Sequence, residues 1–138
     1  MGLKKYEIIT VGGDKRVRAL RSWAVGDRYV NIGDVGGIVY DEKTLSQDGA
    51  CWLFRGNFGF PGARIGGDSI VDVAEAACRG VLVMQDNASI EADTTVIGAI
   101  TLAGNYKGNV VKTWIGKRTI TDVNEPEYDN NVKSKYDL

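Results

Sequence analysis

Histidine is absent from the 138-residue sequence. Because histidine is the usual general base at neutral pH and a leading zinc ligand, its absence removes His-dependent nucleophilic catalysis and His-ligated zinc together. An enzyme made from this chain has only carboxylates, lysine, tyrosine or cysteine to work with. Cysteine is scarce as well: Cys51 and Cys78 are too few for a disulfide framework and lack metal-ligand spacing, so they read as reduced thiols. No apolar run approaches the roughly 20 residues of a membrane span. The N-terminal MGLKKYEIITVGG has no apolar stretch of signal-peptide length, so a soluble, cytoplasmic chain with no membrane partner is expected. The glycine-containing stretches VGGDKR and DVGGIV lack both the glycine spacing and the helix of a phosphate cradle, and read as turns. Neither a metal nor a cofactor is expected.

The charge that is present is unevenly placed. Residues 1–28 hold seven Lys or Arg against three acids, whereas residues 29–111 hold five against ten. Residues 112–121 hold three bases and no acid, and residues 122–138 hold two bases against five acids. A net charge of −1 argues against a surface that coats duplex nucleic acid but leaves room for local anion sites at the two basic flanks.

What dominates is a rhythm. Residues 82–105 divide into LVMQDN, ASIEAD, TTVIGA and ITLAGN. In an extended chain the first and third residues of each unit share a face, which pairs Leu82 with Met84, Ala88 with Ile90, Thr94 with Val96, and Ile100 with Leu102. Polar or Gly-containing pairs close each unit, giving short strand, corner, short strand, corner. A six-residue period drifts around a helix surface without forming one stripe, whereas a coiled β structure keeps every inward pair inside. Less regular units extend upstream to Cys51, with Val81 as one extra residue, and downstream through YKGNVV to Val111. At three units per turn, residues 51–111 make about three turns of a parallel β-helix. The flanks KKYEIITV and KRVRALRSW around Gly12-Gly13-Asp14 predict an N-terminal β-hairpin within residues 1–50, with Arg16 and Arg18 on one side and Val17 and Ala19 on the other. Residues 112–138 are expected to add a C-terminal strand and tail to the same single domain, the tail crossing a subunit boundary.

GDVGGIVYDEKTLSQDGACWLF at residues 33–54, followed by ARIGGD, resembles small bacterial and phage hexapeptide-repeat proteins of the transferase type. The positions that carry the likeness are Gly33, Asp34, Gly36, Gly37, Leu45, Ser46, Gln47, Asp48 and Gly49, with a further match in RVRALRSW. The resemblance implies a left-handed coil, commonly trimeric. It implies an activity much less directly, since fold and chemistry separate easily.

Stacking turns at eighteen residues, or nineteen where Val81 intervenes, sets Phe58, Ala76 and Thr95 in one outward column and Phe60, Cys78 and Ile97 in the next. So apolar a face needs covering, which makes Phe58, Phe60, Ala76, Cys78 and Ile97 the expected homo-oligomer interface. Asp72 and Glu91 are expected one above the other as a carboxylate ladder; Glu75 falls inward by register, marking either a distorted corner or a specific partner. Cys51 is expected in the core. The residues with the most suggestive chemistry are Arg16, Arg18, Arg21 and Trp23 in one flank and Lys112, Trp114, Lys117 and Arg118 in the other. Guanidinium groups grip phosphate in pairs and aromatic faces stack on bases, a combination suited to a nucleotide-like anion. The expected function is a non-enzymatic homo-oligomer that binds or sequesters such a ligand at intersubunit clefts. The alternatives are a structural or assembly module and, behind both, an acyltransferase.

Overall fold

The structure, a computed structural model, describes residues 4–121. Over that range the chain is all β, so it contains no helix long and apolar enough to cross a membrane. The expected hairpin is there: β1 (Tyr6–Val11) pairs antiparallel with β2 (Asp14–Ala19) in continuous register from Tyr6↔Ala19 to Val11↔Asp14. Gly12 and Gly13 join them at φ +57° and +86°, and a two-residue turn with both centres at positive φ has the twist that antiparallel strands require. Val17 and Ala19 are buried, Arg18 is exposed and Arg16 half-buried, as alternation requires. A smaller hairpin follows, β3 (Trp23–Val25) and β4 (Arg28–Val30). Strand β5 (Val35–Val39) pairs antiparallel with β2 and parallel with β7 (Asn57–Phe58), so the hairpin sheet merges into the wall of the coil.

The rest winds as a β-solenoid. Strands β6 (Trp52–Arg55), β9 (Ile70–Asp72), β11 (Ser89–Ile90) and β13 (Lys107–Gly108) stack in one parallel sheet. Strands β8 (Ala63–Ile65), β10 (Ala76–Met84), β12 (Thr94–Leu102) and β14 (Lys112–Ile120) stack in another. All eight side chains predicted to point inward from residues 82–105 are buried; Thr94, at 5% exposure, is the most accessible. Each fully buried Leu, Ile or Met adds roughly 1.5–3 kcal/mol of hydrophobic stabilisation, which is why the two-residue alternation fixes orientation so firmly.

Three expectations are corrected. The coil is longer than three turns: Leu45 bridges Ile65, and Ile65, Met84, Leu102 and Ile120 pair in sequence, so that column alone has five levels. Lys112–Ile120 is therefore a full rung, paired residue for residue with β12, although residues 112–138 were expected to leave the repeat. Its signature is hidden because Lys112 and Arg118 take the column positions held by Thr94 and Ile100 one rung earlier.

The extra residue of the period is also not Val81. Partners are nineteen apart for Ile70↔Ser89 and Ala63↔Leu82, but eighteen apart along the whole of β10 and β12, through Val81↔Ala99. The surplus thus lies at the corner after β9, at residues 73–75, where Glu75 is exposed and its backbone N–H donates to Asp93 Oδ1 at 2.9 Å. Glu75 is a distorted corner and carries no buried charge.

That shift rearranges the expected interface. Ala76 pairs with Thr94 and Cys78 with Val96, so both belong to the inward column. Phe58 is 1% exposed inside the chain, and Phe60, Ala76 and Cys78 are half-buried against the core. Ile97 keeps the outward position, half-buried. The expectation for the tail, residues 122–138, lies outside the described residues.

Candidate functional site

At the hairpin end, the Leu45, Ser46, Gln47 and Gly49 segment acts as a latch. Gln47 Oε1 accepts from the backbone N–H groups of Lys5 (2.8 Å) and Tyr6 (3.2 Å), and its Nε2 donates to the Tyr6 carbonyl (3.1 Å). Trp52 points outward from β6 but is only 1% exposed, because the rings of Trp23 and Tyr6 meet it edge-on at 5.3 and 6.3 Å. Trp23 donates from Nε1 to the Ala50 carbonyl at 2.9 Å, so this candidate is a packing residue. Arg16 donates to the Gly36 carbonyl at 3.3 Å, Arg18 pairs across the hairpin with Glu7, and Arg21 is exposed.

Sequence reasoning missed Lys5. It is fully buried, its Nζ lying 2.8 Å from the Cys51 carbonyl, 3.2 Å from the Gly49 carbonyl and 3.3 Å from Cys51 Sγ. Burial holds its pKa below the ordinary lysine value, and burial pushes the Cys51 thiol up despite the nearby ammonium. Cys51 is sealed in the core, as its inward register predicts, and a raised thiol with no exposure is a poor nucleophile.

At the other end, Trp114 is completely buried, its ring meeting Tyr106 edge-on at 5.8 Å, and Lys112 Nζ lies 5.9 Å from the Trp114 ring centre. Lys117 is exposed and Arg118 half-exposed. The strands β5, β7, β10 and β12 lie between β2 and β14. At about 4.8 Å per strand the two basic groups are therefore more than roughly 20 Å apart. One chain does not bring the eight candidates into a single site.

Two of them do share a groove. Lys117 and Arg118 line a concavity of about 330 Å³ with Val81, Ala99, Ile100, Thr101 and Thr119, at a corner between successive rungs. A second, polar groove of about 560 Å³ follows the wall of β9, β11 and β13 beneath the β3–β4 turn. Beside it, Arg28 bridges the expected carboxylate ladder, Nη1 lying 3.1 Å from Asp72 and 3.7 Å from Glu91, while Arg55 holds Asp72 from its other side at 3.0 Å. Two guanidinium groups on this pair make it a structural ion network. Arg28 also lies 3.7 Å over the Phe54 ring. The grooves escaped sequence reasoning because each is built from residues of several rungs.

No protein-family model matches the chain, and neither the curated proteins nor the solved structures contain a match.

Proposed function

We propose that the chain is a non-enzymatic, homo-oligomeric binding protein of the left-handed hexapeptide-repeat type, of phage origin, that holds a small anionic, nucleotide-like ligand in the Lys117–Arg118 groove. The observation that carries this reading is the pairing of two cationic side chains with an apolar floor. Lys117 and Arg118 offer an ammonium and a guanidinium to phosphate, Thr101 and Thr119 add hydroxyls, and Val81 and Ala99 accept the less polar body of the ligand. The groove sits on an outer corner of the coil, where a neighbouring coil in a trimer closes it into an intersubunit cleft. The free thiols of Cys51 and Cys78 accord with a reducing, cytoplasmic setting.

Native mass spectrometry of the purified oligomer, with calorimetric titration of ATP and inorganic triphosphate, tests the reading. Binding is expected to fall at least tenfold in the Lys117→Glu/Arg118→Glu double variant with oligomeric mass unchanged. An oligomer that carries no small molecule and takes up neither probe refutes it. A second reading, a rigid structural or assembly module, is favoured by the uncharged outward strip Thr95, Ile97, Thr113 and Ile115 beside Val110 and Val111, which are 57% and 70% exposed. Acyl transfer ranks third because no histidine base exists.

A further inference from the structure

The polar groove is built differently from the basic one. The register stacks Ile70, Ser89 and Lys107 on three successive rungs, all facing outward, and the adjoining corner adds Asp68, Asn87 and Asn105. The β3–β4 turn overhangs them: Gly26 lies so close that a Cβ there would be 3.1 Å from Ile70 Cδ1, and Asp27 lines the opening. This hairpin turns a flat wall into a groove with a floor and a side.

Ser89 forms part of the lining of the groove. It is 6% exposed and opens onto the groove. A hydroxyl at that position can both donate to and accept from a molecule lying in the groove.

The remaining polar groups define what that ligand is. Asp68, which lines the groove, accepts through Oδ1 from the Ala50 N–H at 3.0 Å. Asn87 Nδ2 donates to Asn105 Oδ1 at 3.4 Å, which leaves one amide oxygen and one amide NH₂ on neighbouring rungs. The carboxylates of Asp27, Asp68 and Glu91 oppose an anion, while Lys107 and the adjoining Arg28 oppose a simple cation. Alternating donors and acceptors of both signs suit a neutral molecule whose every hydroxyl does both, with Ile70 to receive a C–H face. Three rungs at about 4.8 Å extend the polar ladder over roughly 10 Å, close to the length of a disaccharide.

We propose that the groove beneath the β3–β4 turn, centred on Asp68, Asn87, Ser89 and Asn105, is a binding site for a neutral oligosaccharide. It is independent of the anion groove, sharing no residue with it.

The test uses the full chain on an array of neutral hexose and N-acetylhexosamine oligosaccharides, followed by saturation-transfer NMR and titration of the strongest binder. Retention of neutral glycans is expected, weakened at least tenfold by Asp27→Ala and by Asn105→Ala, whose side chains lie at the exposed rim, with unchanged thermal midpoints. Lys117→Glu is expected to leave glycan binding intact, which separates this site from the anion groove. Failure to retain any neutral glycan overturns the proposal. So does binding that is unaltered in both rim variants, or binding confined to anionic glycans and lost in Lys117→Glu.

Discussion

Gly98 is an exacting position in the coil. It bends the nine-residue strand β12 at φ +123°, directly between Gly80 (φ +126°) and Gly116 (φ +103°) on the adjacent rungs. A Cβ at Gly98 would stand 2.2 Å from the Gly116 carbonyl oxygen, and the atom in the way is backbone, which cannot rotate aside. Gly98→Ala therefore incurs two costs. Holding an L residue in a glycine-only region costs about 1–3 kcal/mol. Separating two rungs that are hydrogen-bonded on both sides of the corner adds roughly 1–3 kcal/mol of overpacking, for a total of about 2–6 kcal/mol. Gly33→Ala is the control, because Gly33 has a comparable φ of +92° but nothing within 4 Å of the added atom. Only the conformational cost of about 1–3 kcal/mol applies there. Urea unfolding followed by tryptophan fluorescence and far-UV circular dichroism gives both values. Equal losses for the two variants, or less than about 1 kcal/mol for Gly98→Ala, would refute the argument that stacked backbone, rather than local conformation, makes the corner glycine indispensable.

Ile90→Asp should cost more than about 4 kcal/mol, since an unpaired carboxylate enters the dry interior, whereas Thr95→Asp, outward on β12, should lie within about 1 kcal/mol; similar urea midpoints would mean the inward and outward faces are wrongly assigned. Gln47→Ala removes three backbone hydrogen bonds that fasten the N-terminal segment, an expected loss of about 2–3 kcal/mol, and Gln47→Glu should recover only part of it because the Tyr6 carbonyl loses its donor. With no histidine, stability should be flat between pH 6 and pH 8. Burial raises the thiols of Cys51 and Cys78 above their ordinary 9.0 and the phenols of Tyr6 and Tyr106 above 10.0. The unfolded chain therefore releases these protons first, and the stability they contribute is lost as pH rises beyond those values. Lys5, lowered by burial, runs the other way, its penalty easing as pH climbs toward 10.5. Four groups against one predict a urea midpoint that falls above pH 9, and a midpoint that rises there would contradict the burial of the thiols and phenols.

The six-residue beat by itself determined that the chain coils and which side chains turn inward from residues 82–105, because alternation along a strand is local and every inward pair there is apolar or small. The hairpin was equally legible, its turn chemistry lying in two adjacent glycines. Where the extra residue is absorbed was decided only by hydrogen bonding between neighbouring rungs: a surplus at residues 73–75 and one at Val81 produce the same six-residue text, but they place Ala76 and Cys78 on opposite sides of the wall. The rung at Lys112–Ile120 was hidden because Lys112 and Arg118 stand where the preceding rung carries Thr94 and Ile100, which breaks the apolar code. Tertiary structure alone separated the two basic flanks, set Lys5 against Cys51 and hung the β3–β4 turn over Ser89. Those juxtapositions depend on which coil stacks on which, a property of the whole path of the chain and of no single segment.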